Sequence, residues 1–255
     1  MNPDSQNLSE AETIIRLRNV SKIFPVDRSS ATLFKALKKG VANRFQKPGT
    51  LSALFDISFD VSRGERIGIV GDNGAGKTTL LKVVAGLHKI SGGEIDVRGR
   101  VTLVASLGVG MMEELTVAEN ILLYGAIYGL GRRTMSQRQA EILEWAELEG
   151  FAQSRLKTLS SGMKTRLAFS ALRHIEEDIY LLDEVLTAGD KNFMHKCEQV
   201  FAGYKKTQKT FVVATHDLNF VRTFCEKTLW LHKGCQVGFG KTEEIVDQYV
   251  KAKLS

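Results

Sequence analysis

The sequence has few cysteines, few prolines and no long hydrophobic run. Its three cysteines are an odd number and show no C-x-x-C spacing, which argues against a disulfide framework or a metal site and predicts reduced thiols in a cytosolic protein. The stretch VTLVASLGVGMM is among the most apolar, yet it is well short of the ~18 residues that indicate a membrane span. The first residues lack a basic segment followed by an apolar one, so no secretory signal is expected.

The charge balance limits the classes of partner. A net charge of +6 over 255 residues indicates an acidic partner, such as a nucleotide, a nucleic acid or an anionic lipid surface. A mildly basic, solvated surface explains the same charge equally well. The length fits one large domain, or one domain with a subdomain.

Strand and helix patterns alternate along the chain. RIGIV, IYLLD and FVVAT are continuous apolar runs, typical of strands that helices cover on both faces. The intervening segments have helical spacing, which predicts an α/β fold with a largely parallel sheet. From about Glu113 to Leu172 the pattern is almost wholly helical, and we interpret this segment as an inserted helical subdomain.

A phosphate-binding loop follows the first of these strands. GDNGAGKTTLL fits G-x-x-x-x-G-K-[ST] between a strand and a helix. Its glycines let backbone N–H groups surround phosphate oxygens, Lys77 supplies a positive charge, and Thr78 can give its hydroxyl to Mg²⁺. The residues predicted to bind ATP here are Gly71, Asp72, Asn73, Gly74, Ala75, Gly76, Lys77, Thr78 and Thr79.

Two further strand ends carry groups suited to phosphoryl transfer. DIYLLDE ends in Asp183, which is predicted to hold Mg²⁺, and Glu184, which is predicted to act as the general base on water. FVVATHD ends in His216, which can donate a hydrogen bond to a γ-phosphate. Alternatively, Asp183 and Glu184 are only an acidic pair that improves solubility where a helix begins, and His216 is a structural cap of its strand. Because parallel sheets bind ligands at their carboxyl ends, three such ends favour a functional site.

The stretch LSSGMKTRLAF has the pattern of a helix start, which offers free N–H groups to an anion. The P-loop, LSSGM, LLDE and THD, in that order, resemble the ATP-binding cassette (ABC) ATPases over almost the whole chain. LSSGM is similar to that family's LSGGQ signature. The resemblance implies that Ser160, Ser161 and Gly162 contact the γ-phosphate of ATP held by a second subunit, in a head-to-tail homodimer with ATP and Mg²⁺ as cofactors.

The resemblance extends to other elements of the family. It implies an ABC-type P-loop NTPase core over residues 1–255, with a mostly parallel sheet, an antiparallel β portion and the helical subdomain at about 113–172. Ala188, Gly189 and Asp190 fall at the family's D-loop, which crosses the dimer interface. Phe24 falls where the family stacks an aromatic ring on adenine, although an ordinary buried phenylalanine fits the pattern too.

One family element is absent. The cassette usually carries a Mg²⁺-binding glutamine between the P-loop and the signature, but no glutamine occurs between Lys47 and Ser136. VTLVASLGVGMMEELTVAEN stands there instead, and it resembles the bacterial polysaccharide exporters. Ser106 occupies the position of that group's acidic residue, and Met111 or Met112 that of its aromatic one.

The resemblance to the exporters implies partners and a location. The implied partners are a separate membrane-spanning permease and a lipid-linked polysaccharide, with no nucleic acid. The chain is expected to be a peripheral subunit at the cytoplasmic face of the bacterial inner membrane. No C-terminal carbohydrate-binding domain is expected. The alternative is a soluble ABC ATPase of translation or DNA repair, which usually has two cassettes or a coiled-coil insertion.

Residues 27 to 50 form an insertion with a basic amphipathic pattern. Its apolar positions fall near helical spacing, with Lys35, Lys38 and Lys39 around them. The insertion is predicted to meet the membrane interface or the pyrophosphate end of the glycan carrier. A helix packed on its own domain is the alternative.

Overall fold

The computed structural model describes residues 12–25, 49–105, 107–184 and 191–254. Three of the sequence-based predictions fall outside these residues, except for the last two positions of the first one. These are the basic insertion at 27–50, the position of Ser106 and the D-loop with Asp190.

The described residues contain one sheet in the order β4-β1-β2-β9-β8-β3-β7-β6-β5. From β8 to β5 neighbouring strands run parallel, whereas β1 pairs antiparallel with both β2 and β4, and β8 pairs antiparallel with β9. A parallel pair, Phe55 with Cys235, joins the two portions. The strands are β1 (Thr13–Pro25), β2 (Thr50–Ser62), β3 (Arg66–Val70), β4 (Gly92–Val97), β5 (Val101–Val104), β6 (Ile179–Asp183), β7 (Thr210–Ala214), β8 (Lys227–His232) and β9 (Cys235–Lys241).

Helices cover the parallel portion and form a layer beyond it. α1 leaves the P-loop, and α2, α3 and α4 follow one another between β5 and β6 and pack together. The α-helices are α1 (Lys77–Val84), α2 (Val117–Ile127), α3 (Arg132–Ala146), α4 (Ser161–Leu172), α5 (Lys191–Tyr204), α6 (Leu218–Phe224) and α7 (Thr242–Leu254). Within the part of the chain that is described, no helix has the length and apolar character needed to cross a bilayer.

The central strands separate two cores. Ile179 and Leu181 of β6 belong to the core shared by α1 and the antiparallel portion, whereas Tyr180 and Leu182 belong to the core beneath the helical layer. All five residues of β6 and of β7 are buried. The side chains of a strand alternate between its faces, so a continuous apolar run is what burial on both faces requires. The predicted α/β fold with a mostly parallel sheet is confirmed.

The sequence also predicts strands at IIRLRNV, ALFDISFDV and TLWLHKG and helices at LNFVRTFCEK and KTEEIVDQYVKAKL. Among the described residues, four elements were not predicted. β4 (GGEIDV) and β9 (CQVGFGK) contain glycines that interrupt the apolar alternation, and β5 has only four residues. The fourth is α5, although Phe193, Cys197 and Phe201 recur every four residues and are buried. That spacing is helical, so its signal was present in the sequence.

Candidate active site

Three adjacent strands end at one edge of the sheet. β7 lies between β3 and β6, and all three run parallel. The P-loop therefore follows the end of β3, Asp183 and Glu184 stand at the end of β6, and His216 lies just beyond β7. The structure brings together the three groups that the sequence predicted to act together.

The glycines of the P-loop adopt backbone conformations that side chains disfavour. Gly71, Gly74 and Gly76 have φ values of 151°, 78° and 106°. A Cβ atom on Gly71 would lie 2.2 Å from the carbonyl oxygen of Leu231, and one on Gly76 would lie 2.8 Å from that of Ala53. Gly71 and Gly76 therefore provide both the turn and the close approach of neighbouring backbone.

Lys77 begins α1 and is only 8% exposed. Its Nζ donates to the carbonyl oxygen of Gly71 at 2.8 Å and to that of Asp72 at 3.4 Å. An ammonium has three N–H donors, so these bonds leave one for a phosphate oxygen. Burial lowers the pKa of Lys77, and the carboxylates of Glu184 and Asp183 oppose that shift by favouring the charged form.

Asp183 and Glu184 occupy different environments at the end of β6. Asp183 is 7% exposed and pairs in register with Ala214 of β7. Glu184 has a left-handed backbone with a φ of 53°, and its N–H donates to the carbonyl oxygen of Ala214 at 2.9 Å. Its Oε1 lies 3.2 Å from Nε2 of His216. That contact can orient both side chains over the crevice.

The other predicted P-loop residues surround this centre. Asp72, Asn73, Gly74 and Thr78 are exposed at the mouth of the loop, whereas Thr79 is half-buried and Ala75 is buried. Within the described residues, no group of three or more His, Cys, Asp or Glu side chains could hold a metal ion by itself. Mg²⁺ keeps several waters and typically uses one or two carboxylates together with substrate phosphates. The carboxylate of Asp183 and the hydroxyl of Thr78 fit that donor chemistry.

The predicted signature residues begin α4. Ser160 is the N-cap, and its Oγ accepts a hydrogen bond from the N–H of Met163 at 3.3 Å. Ser160 and Ser161 are exposed, and a Cβ atom added to Gly162 would meet no atom within 4 Å. No acidic residue lies in the first turn. This helix start therefore has the open approach and positive dipole end that an anion requires.

The loop before α2 is held by residues whose structural role was not predicted. Thr116 and Glu119 form a capping box, and its T-x-x-E pattern is visible in the sequence. Asn120 is fully buried, and its side chain bonds the N–H and carbonyl of Met112 and the carbonyls of Leu115 and Thr116. These contacts fix the segment that stands where the family carries its glutamine.

That loop also contacts the signature helix. The carboxylate of Glu113 lies 2.7 Å from Nζ of Lys164, which is in the first turns of α4. The N–H of Leu156, just before the signature, donates to the carbonyl oxygen of Leu115 at 2.9 Å. A displacement of the loop would therefore act directly on the start of α4.

Phe24 is half-buried on β1, opposite Leu51 of β2. The rings of Phe24 and His88 pack edge to face at a centroid distance of 5.3 Å, and Nζ of Lys22 lies 4.6 Å from the centroid of Phe24. The side chain is therefore accessible in part, as a stacking platform requires, but its role in binding adenine stays a prediction.

Comparison with known proteins identifies the family. A family model described as ABC transporter matches residues 54–187. The O-antigen export system ATP-binding protein RfbB of Klebsiella pneumoniae is 35% identical over 243 residues, which cover 94% of this chain and 99% of that protein. The teichoic acids export ATP-binding protein TagH of Bacillus anthracis is 41% identical over 197 residues, 77% of this chain. The aligned part covers only 36% of TagH.

A solved structure gives the same result for the fold. A dimeric ATP-binding cassette in a post-hydrolysis state, bound to ADP and Pi, matches with a TM-score of 0.69 and 25% identity, over 89% of this chain and 98% of that one. The resemblance predicted from the P-loop, LSSGM, LLDE and THD is thereby confirmed. The chain belongs to the ABC transporter family, as one of its ATP-binding, ATP-hydrolysing subunits.

Proposed function

We propose that this chain energises the export of a lipid-linked polysaccharide, such as an O-antigen, a capsular polysaccharide or a teichoic acid. The observation that carries the proposal is the meeting of the P-loop, the Asp183–Glu184 pair and His216 at one sheet edge, in a chain whose relatives are named as export proteins. Those names favour an exporter over a soluble ATPase of translation or DNA repair.

The residues of the chain divide the chemistry among them. The N–H groups of the P-loop and the ammonium of Lys77 bind the β- and γ-phosphates. Mg²⁺, held through Asp183 and Thr78, would neutralise charge on the phosphates. Glu184 accepts a proton from a water molecule, and the oxygen of that water attacks the γ-phosphorus. The bond between the γ-phosphorus and the bridging oxygen of the β-phosphate breaks, which yields ADP and phosphate. His216, beside Glu184, donates a hydrogen bond to the transferred phosphoryl group.

Two copies are proposed to pair head to tail. The start of α4 presents Ser160, Ser161 and Gly162 to an anion, and the proposal places there the γ-phosphate bound to the P-loop of the second copy. Each site is then complete only in the dimer, with Asp190 at the interface and Phe24 beneath adenine.

The dimer is proposed to act on a separate permease, as a peripheral subunit at the cytoplasmic face of the inner membrane. Val109, Met112 and Ile127 are each at least half exposed, and they lie beside the loop that contacts the signature helix. Exposed apolar side chains of this kind suit a protein partner. A permease docked there would bear on the loop and, through Glu113 and Lys164, on the signature.

The proposal is tested in the source organism by replacing Lys77 with alanine in the chromosome. We expect loss of the surface polysaccharide and accumulation of the lipid-linked glycan inside the cell, with the protein present at its normal level on an immunoblot. Replacement of exposed Lys251 with alanine serves as the matched control. Unchanged surface polysaccharide in the Lys77→Ala strain would contradict the proposal.

A further inference from the structure

The second residue of the P-loop carries a negative charge at the mouth of the phosphate site. Asp72 is exposed and follows Gly71 directly, and its carbonyl oxygen accepts a hydrogen bond at 3.4 Å from Nζ of Lys77, the cation that is proposed to bind the phosphates. A carboxylate at such a place repels a polyphosphate unless another charge neutralises it. The structure provides one from a distant part of the chain.

Two residues of α7 contact this carboxylate. Nζ of Lys253 lies 3.0 Å from Oδ1 of Asp72, and the hydroxyl of Tyr249 donates to the same oxygen at 3.3 Å. The ion pair with Lys253 holds the pKa of Asp72 below its usual value, so Asp72 stays charged at neutral pH.

The position of Lys253 is fixed by an aromatic ring. Its Nζ lies 4.9 Å from the centroid of Tyr249, one helical turn earlier on α7. Tyr249 is 5% exposed, and its ring meets that of Trp230 edge to face at 5.7 Å. The ammonium is therefore supported by a side chain anchored in the core, unlike most exposed lysines.

Lys253 also acts electrostatically on the phosphate site itself. Burial is the main cause of the lowered pKa of Lys77, and the charge of Lys253 adds a smaller effect in the same direction, so the two cations lie within electrostatic range of each other. Loss of Lys253 would thus remove a positive charge from the site and leave the charge of Asp72 uncompensated.

We propose that Lys253 is a positioning residue for nucleotide binding, which neutralises Asp72 at the mouth of the P-loop and is held in place by Tyr249. This inference rests on the proposed role of the P-loop in binding ATP. It adds a contribution from α7, which lies beyond residues 54–187 that match the family model.

The test measures binding of a fluorescent ATP analogue with Mg²⁺, and steady-state ATPase rates, for Lys253→Gln. We expect Kd and KM to rise about two- to fivefold while kcat changes less than about twofold, because an exposed ion pair is worth little but acts on binding alone. Lys253→Arg should restore the wild-type Kd, and 0.5 M KCl should reduce the difference by screening. Lys251→Gln removes the same charge from an exposed position of the same helix and should leave Kd unchanged.

The double variant Asp72→Asn, Lys253→Gln separates charge compensation from a structural role. It removes both charges but keeps the backbone N–H of residue 72, so its Kd should fall below that of Lys253→Gln, and melting temperatures should agree within about 2 °C. A Kd for Lys253→Gln equal to that of Lys251→Gln, or no recovery in the double variant, would overturn the inference. Lys77→Ala is measured in parallel: if it binds the analogue normally, the P-loop assignment itself fails.

Discussion

Asn120 offers a quantitative test of how the loop before α2 is held. Replacing it with leucine keeps a side chain of similar length but removes its hydrogen bonds. The carbonyls of Met112, Leu115 and Thr116 each keep a second, backbone donor, so they lose little. The N–H of Met112 donates to Oδ1 of Asn120 at 2.7 Å, and it is the group left without its partner.

The expected cost follows from that count. An unsatisfied buried N–H costs about 1–3 kcal/mol, and the part-buried N–H of Met112 falls in the lower half of that range. The three lost bonds to carbonyls that keep a backbone donor add a smaller amount. The extra apolar burial of leucine offsets part of it, so we expect a net loss of about 2 kcal/mol in the free energy of unfolding. For a chain of this size that lowers the melting temperature by about 4–8 °C.

Thermal unfolding gives the global effect, and hydrogen exchange at the amide of Met112 gives the local one. Exchange there should accelerate in Asn120→Leu, since its acceptor is gone. Asn219→Leu, the same change at an exposed helical position, should stay within about 0.5 kcal/mol of the wild type. If Asn120→Leu matched the control in stability and the amide of Met112 stayed protected from exchange, our reasoning that Asn120 holds the loop before α2 would be refuted.

Further predictions concern the P-loop, the thiols and the helix cap. Gly71→Ala would push a Cβ atom into a carbonyl oxygen at 2.2 Å, so binding of a fluorescent ATP analogue should fall at least about tenfold; wild-type affinity would contradict this. Burial raises the pKa of Cys197 and Cys225 to about 12, and the thiolate is the reactive form. A chromogenic disulfide at pH 8 should therefore modify only the partly exposed Cys235 until the protein unfolds, whereas rapid modification of all three thiols would disprove that burial. Thr116→Ala removes the capping box and should lower the free energy of unfolding by about 1 kcal/mol in urea titration, and an unchanged midpoint would argue against it.

The central strands and their carboxyl ends could be predicted from the sequence because the signals are local. A continuous apolar run such as IYLLD shows burial on both faces, and Asp183 and Glu184 follow it directly. The helix start at Ser160 is equally local, since a serine before an apolar helical pattern suffices to predict an N-cap. The fold class and the elements of the site depended on such segments.

The contacts that hold the site together could not be predicted in the same way. Asp72 and Lys253 are 181 positions apart, and the packing of α7 against β3, β8, β9 and α6 brings them together. Asn120 was visible at the end of VTLVASLGVGMMEELTVAEN, but neither its burial nor its bond to Met112 has a periodic signal. The edge strand β4 and the interior strand β9 were missed because glycines replace apolar residues there.

The central claim is that the start of α4 completes the ATP site of a second copy. The most direct test measures the mass of Glu184→Gln in solution with Mg²⁺ and ATP, together with its turnover. We predict a stable dimer with no ATP hydrolysis, because the general base is lost while binding is kept. Adding Gly162→Asp, where the new side chain has open space, should preserve the fold but abolish the dimer by repelling the γ-phosphate. Full turnover in Glu184→Gln, or an ATP-dependent dimer that survives Gly162→Asp, would contradict the account.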